Sequence, residues 1–254
     1  MRRLVIAGLS ALLLSSCGTF DGVFRGDPGP AIEAALADPS RPAADRERDA
    51  ARKPEALIRF AGVRPGDTVG DFVTGGGYFA RIFAGVVGPQ GRVHAVQPQE
   101  FVGFMPKYGE DLKALDAAYD NVTGSITPFA TPDFPAGLDV VWTSQNYHDL
   151  HLKPFPADTA ARANKAIFQA LRPGGVYLII DHAAEPGSGL RDAHDLHRID
   201  PETVKQEVTA AGFVFEGESP LLRNPADPKT ANVFDESIRG RTDQFVYKFR
   251  KPRH

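Results

Sequence analysis

The sequence predicts an α/β domain built on a mostly parallel sheet with helices on both faces. Strand-like apolar runs alternate with helical stretches through most of the chain, and a glycine-rich turn follows the first run. The last strand-like run is reached only after a long proline-containing connection.

The packed domain is expected to open near Pro54, with a helix over Glu55 to Ala61 that Gly62 ends. Strands are predicted at Thr68 to Val73, Arg92 to Gln97, Val122 to Ile126, Leu138 to Thr143 and Val176 to Asp181. Between them, helices are expected at Tyr78 to Val87, in parts of Phe101 to Tyr119, and at Thr159 to Leu171. A helix over Pro201 to Ala211 precedes a strand at Phe213 to Glu218, and a final strand covers Gln244 to Arg250. The connection Ser219 to Asp243 carries Pro220, Pro225 and Pro228 and reads as a loop tied by ion pairs.

Ahead of the domain, Arg2 and Arg3 precede an apolar run from Leu4 to Leu14 that is too short to span a bilayer. Leu14, Ser15, Ser16 and Cys17 then resemble a bacterial lipobox, which implies removal of residues 1–17 up to a lipidated Cys17. Gly18 at the next position implies the outer membrane, facing the periplasm, with contact to the membrane through the lipid anchor only. Cys17 is the single cysteine, so the mature domain has no thiol for a disulfide, a thiolate metal site or a nucleophile. Residues 18–53 read as a tether with short helices at Ala31 to Ala37 and Asp45 to Arg52, the charged run ending at Lys53 being a solvated helix face. The domain proper is assigned to residues 54–254.

A chain of 254 residues with 42% hydrophobic residues suffices for one sizeable core. Its net charge of −3, with both signs scattered, excludes the concentrated basic face that nucleic acid requires and leaves a small molecule as the expected partner. Oligomeric state is not encoded in any pattern of the chain.

Thr74, Gly75, Gly76 and Gly77 join the first strand to a helix, a turn in which bare backbone is open to the polar end of a ligand. With Asp71 four residues before Gly75, and Leu171, Arg172, Pro173, Gly174 and Gly175 ahead of the fifth strand, the chain resembles the class I S-adenosylmethionine-dependent methyltransferases, in a branch with a GGGY loop. That resemblance implies a Rossmann-like sandwich whose mostly parallel, seven-stranded sheet has an antiparallel last strand. It implies S-adenosyl-L-methionine as cofactor, held by Asp71, Gly75, Gly76, Gly77, Gln97 and Asn146, and a small-molecule acceptor. Val73 stands where the family has its first glycine, and Gln97 where an acid grips the ribose hydroxyls. Gly75, Gly77 and Ala80 also satisfy the dinucleotide pattern GxGxxA, which admits a nicotinamide oxidoreductase, although Gln97 is not the acid that pattern requires. A non-catalytic binding lipoprotein on the same fold is the other alternative, since the methyl donor is made inside the cell.

Asn146, Tyr147, His148, Asp149 and His151 follow the fourth strand and so share an edge with the glycine loop. His148 is the expected proton acceptor, because an imidazole titrates near neutrality, and His182 at the end of the fifth strand is expected to assist. His194, His197 and Arg198 follow that strand and are expected to line the same acceptor pocket. HxxH spacing occurs at His148/His151 and His194/His197 without the HExxH grammar, so no metal is expected.

Overall fold

The computed structural model describes residues 26–253. The leader and Cys17 lie outside the described residues.

Alternating apolar side chains make each central strand contribute to two cores at once. In β4 (Leu138–Ser144), Val140 and Trp142 face one helical layer while Leu138 and Val141 face the other. In β5 (Leu171–His182), Val176, Leu178 and Ile180 alternate in the same way with Tyr177 and Ile179. The remaining strands are β1 (Thr68–Phe72), β2 (Arg92–Pro98), β3 (Val122–Thr127), β6 (Val214–Ser219) and β7 (Gln244–Arg250). Their spatial order is β3-β2-β1-β4-β5-β7-β6, and only β7 runs antiparallel to its neighbours. The expected seven-stranded sheet with a reversed last strand is therefore present. Its strand order reverses between β1 and β4, and a crevice opens at their carboxyl ends.

Nine α-helices occur among the described residues: α1 (Gly29–Ala37), α2 (Ala43–Arg46), α3 (Asp49–Arg52), α4 (Pro54–Ala61), α5 (Tyr78–Val87), α6 (Gln99–Phe104), α7 (Lys107–Ala118), α8 (Thr159–Ala170) and α9 (Pro201–Ala210). Side chains of α1, α4, α5 and α7 build the core on one face, where Trp142 meets Phe79 at 4.6 Å and Phe83 at 5.2 Å between ring centroids. On the other face α8 and α9 cover Tyr177, Phe213 and Phe249. Pro106 separates α6 from α7, which accounts for the partial helicity expected there. β5 starts five residues earlier than expected, because Leu171 pairs with Leu138 across an irregularity that Gly174 accommodates at φ +78.

The N-terminal segment departs from the picture of a tether. Ile32 is fully buried, and α1 lies so close to α5 that a Cβ on Gly85 would come within 2.7 Å of Ala35 Cβ. The expected helix Asp45 to Arg52 is two short helices, and its charges are a solvated face only in part: Arg46, Glu47, Arg48 and Lys53 are exposed, whereas Asp45 is buried and Asp49 and Arg52 are half-buried. Arg41 makes a two-pronged pair with Asp49 at 2.8 and 2.7 Å, and Asp45 takes Arg48 and Arg81. Asp45 and Asp49 thus have basic partners folded back on them, so Arg41 and Asp45 are buried where an isolated charge would stay in water.

The long connection between β6 and β7 is pinned by Arg198, fully buried, which grips Asp227 at 2.8 and 3.1 Å and also donates to the carbonyl oxygens of Ala183 and Ala231. No helix among the described residues is long and apolar enough to cross a membrane.

Truncating Ile32 to alanine tests whether α1 belongs to the folded unit. Loss of a buried isoleucine contact is expected to cost about 2–5 kcal/mol in urea unfolding, whereas a solvated tether would leave the midpoint unchanged.

Candidate active site at the carboxyl ends of the strands

The turn after β1 is held in a strained shape by β2. Val73 sits at φ +63, a left-handed conformation that costs a β-branched residue on the order of 1–3 kcal/mol. The amides of Val73 and Thr74 donate to the carbonyl of Val96 at 2.9 and 3.2 Å, and the amide of Gly75 donates to Gln97 Oε1 at 2.8 Å. Gly75 and Gly77 also take positive φ, at +57 and +82, which their missing Cβ permits. Gln97 is completely buried and serves as a clamp on the loop, with its Nε2 left without a partner.

Beside this turn lies a cavity of about 440 Å³. Asp71, Val73, Thr74, Gly75 and Gly76 line it from β1, while Ser144, Gln145, Asn146, His148 and Asp149 line it from the segment after β4. His182, His197 and Phe234 come from later in the chain, and Arg48 and Arg52 from the N-terminal helices. The apolar side chains of Phe104, Met105 and Phe234 are more than four-tenths exposed and form part of the lining, giving the mouth an oily rim.

Asp71 is the electrostatic centre of the β1 side. Burial pushes its carboxyl up to about 7, against the opposing pull of the Arg52 guanidinium, the Ala80 amide and the Thr74 hydroxyl. Its Oδ2 is buried with no hydrogen-bond partner. Arg52 lies over the Tyr78 and Phe79 rings at 4.6 and 5.5 Å and donates to Gln145 Oε1 at 2.8 Å. Desolvation lowers its pKa, with the neighbouring Arg48 adding to the effect.

His148 occupies the opposite wall. Its Nδ1 donates to Asp181 at 2.9 Å, and its Nε2 lies 3.2 Å from both Asp149 Oδ1 and His197 Nδ1. Burial alone would depress this imidazole, but Asp181 and Asp149 outweigh it and push it up to about 10. The two carboxylates thus favour the protonated ring, whereas the sequence marks His148 as the proton acceptor. His182 behaves oppositely: burial pushes it down to about 4, and its Nδ1 contacts Thr242 Oγ1 at 2.7 Å. Asn146 donates to Asp149 Oδ2 at 3.1 Å, which fixes that carboxylate.

Of the residues expected to hold the donor, Asp71, Gly75, Gly76 and Asn146 line the cavity. Gln97 lies behind the loop rather than on the wall, and Gly77 caps α5. His148, His182 and His197 converge on the cavity. His151 instead contacts Glu207 at 3.1 Å, His194 receives the Lys153 amide at 3.4 Å, and Arg198 is consumed by Asp227. Sequence reasoning missed Arg48, Arg52 and Gln145; the only available signal was the charged run itself, which carries two arginines on the side of α5 aromatics.

No protein-family model and no curated protein matches the chain in sequence. Its fold is similar to that of a SAM-dependent methyltransferase from Aquifex aeolicus, at 18% identity and a TM-score of 0.56 over 89% of this chain and 98% of that one. It is similar also to an arsenic(III) S-adenosylmethionine methyltransferase from Chlamydomonas reinhardtii, at 18% identity and a TM-score of 0.55 over 89% and 74%. The [4+2]-cyclase SpnF matches as well, at 16% identity and 0.56 over 88% and 92%. The chain thus has the Rossmann-like fold of S-adenosylmethionine-dependent methyltransferases, and at these identities the likeness is one of fold.

Gly75 and Gly76 separate backbone strain from space, since a Cβ on either meets no atom within 4 Å but only Gly75 has positive φ. Gly75→Ala is expected to lose about 1–2 kcal/mol of stability, and Gly76→Ala to melt within a degree or two of the native chain. Equal losses would show that the turn is not strained at Gly75.

Proposed function

We propose that this chain binds S-adenosyl-L-methionine and transfers its methyl group to a small acceptor. The observation that carries the proposal is the buried, unpartnered Oδ2 of Asp71 at the wall of the cavity beside the glycine turn. Such an oxygen is costly unless a donor completes it, and the ammonium of an amino acid is a donor of the right charge. Arg52 adds a guanidinium on the same cavity, suited to the carboxylate of that amino-acid end. The ribose end fits less well, because Gln97 is committed to Gly75 and presents no carboxylate there.

When bound, the donor supplies a methyl group on sulfonium, a good leaving group, so the protein's task is alignment and exclusion of water. Asp71 takes the ammonium by giving up its own proton to solvent. The open space over Gly75 and Gly76 lets a ligand approach the backbone. On the far wall Asn146, His148 and His182 orient a polar group of the acceptor, and Phe104, Met105 and Phe234 favour an apolar body. His182, held neutral by burial, can accept a hydrogen bond from the acceptor at that wall, while its low pKa disfavours full proton transfer to it. No observation favours the nicotinamide alternative over this one.

Lipidation at Cys17 and residence in the bacterial envelope belong to the same proposal, supported by the charged start, the short apolar run and the residues Leu14 to Cys17. Cys17→Ser is expected to move the protein from the membrane fraction to the soluble fraction; retention in the membrane would refute the anchor.

Asp71→Asn tests the donor site. The folded carboxyl titrates above its ordinary value of 3.8, so the fold binds the extra proton between there and about 7. This group's stabilisation is therefore full in acid and lost as pH rises through about 7. In the variant that pH dependence is expected to vanish. Affinity for the donor and for its demethylated product is expected to fall ten- to a hundredfold, matching about 1.5–3 kcal/mol for a charged hydrogen bond. Native affinity is expected to rise as pH passes about 7. Absence of binding by the native chain at millimolar ligand would refute the proposal.

A further inference from the structure

We infer that His148, Asp149 and His197 form a binding site for one divalent transition-metal ion on the acceptor wall of the cavity. The inference stands on the protein's own ligand atoms and holds whether or not the methyl donor binds.

His148 Nε2, Asp149 Oδ1 and His197 Nδ1 make a nearly regular triangle with edges of 3.2, 3.2 and 3.7 Å. A point equidistant from the three atoms lies about 2.0 Å from each, the bond length of zinc to imidazole nitrogen or carboxylate oxygen. Ligand atoms on a tetrahedral ion at that distance are separated by roughly 3.3 Å, so the triangle needs little rearrangement to close on a metal. Two imidazoles and one carboxylate are a donor set that zinc, iron(II) and manganese(II) accept.

The surroundings prepare these ligands. Asp181, fully buried, accepts from Nδ1 of His148, which directs the Nε2 lone pair of the neutral ring toward the triangle. A carboxylate behind a metal-bound imidazole is the usual device for orienting the ring and raising its basicity. Asn146 holds the second oxygen of Asp149, leaving Oδ1 for the ion. His197 reaches the cluster from a loop position at φ +55, a strained conformation for a non-glycine residue, and its ring is backed by Phe234 at 5.0 Å. All three ligands line the cavity, so the remaining coordination position belongs to water or to an oxygen of the acceptor. The same side chains admit one competing arrangement, in which His148 keeps both ring protons and bridges Asp181 and Asp149 with no ion. A metal takes the place of the Nε2 proton.

Metal-stripped protein titrated with Co²⁺, and then with Zn²⁺, distinguishes the two without any need for an acceptor or methyl donor. One Co²⁺ per chain is expected, with the intense visible absorption of a four-coordinate site, and Zn²⁺ should displace it. His197→Ala and Asp149→Asn should each weaken binding at least tenfold, while Asp181→Asn should weaken it by a smaller factor. In the native chain Zn²⁺ should shield His197, but not His94, from diethyl pyrocarbonate, a readout that does not depend on how any variant folds. Failure of the native chain to take up either ion at micromolar concentration would overturn the site. So would binding that survives both ligand variants, or modification of His197 at an unchanged rate.

Discussion

A carboxyl sealed into an interior strand with one oxygen unsatisfied is the constraint around which the rest of this structure is arranged. Asp71 can occupy that position because β1 is flanked by β2 and β4 and ends where the strand order reverses. The neighbouring turn must then leave the strand abruptly, and it does so through left-handed backbone at Val73 and Gly75 held by Val96 and Gln97. Val73, Gln145 and His197 are three of the five non-glycine residues with positive φ among the described residues, and all three line the same cavity. Strain of this kind persists only where surrounding packing over-determines it, and it gathers at functional sites. Here the two cores and the aromatic layer of Trp142, Phe79 and Phe83 supply that rigidity.

Much of the fold was legible because its strands and helices follow local periodicity. The helix Tyr78–Val87 and the strand Gln244–Arg250 match the expectation residue for residue, since glycine bounds the one and a polar loop bounds the other. The β1 wall of the cavity was legible as well, because Asp71 and Gly75 are neighbours in sequence as in space. What was hidden depends on partners distant in the chain. Composition presents Asp45 to Arg52 as solvent-facing, and only folding reveals that Arg41 meets Asp49 and that Arg81 meets Asp45. Gln97 occupies the expected strand end, yet hydrogen-bond geometry assigns its oxygen to the Gly75 amide rather than to a ligand.

The histidines illustrate the same limit more sharply. HxxH spacing links His148 to His151 and His194 to His197, but neither pair meets in space. The cluster that forms takes one member of each, brought together across the ends of β4 and β5. Parallel strands carry residues far apart in sequence to one edge, so chemistry at that edge is written in topology more than in motif. The cavity consequently has two unlike walls: one carboxyl, two guanidiniums and open backbone on the β1 side, and imidazoles with a carboxylate on the other.

The proton on Asp71 offers the most direct test of this account. Calorimetric titration of the native chain with S-adenosyl-L-methionine at pH 6, in two buffers of different ionisation heat, counts the protons released on binding. With the carboxyl raised to about 7 in the free protein, the account predicts saturable binding with release of nearly one proton per ligand. Binding without proton release, or no binding at all, would contradict it.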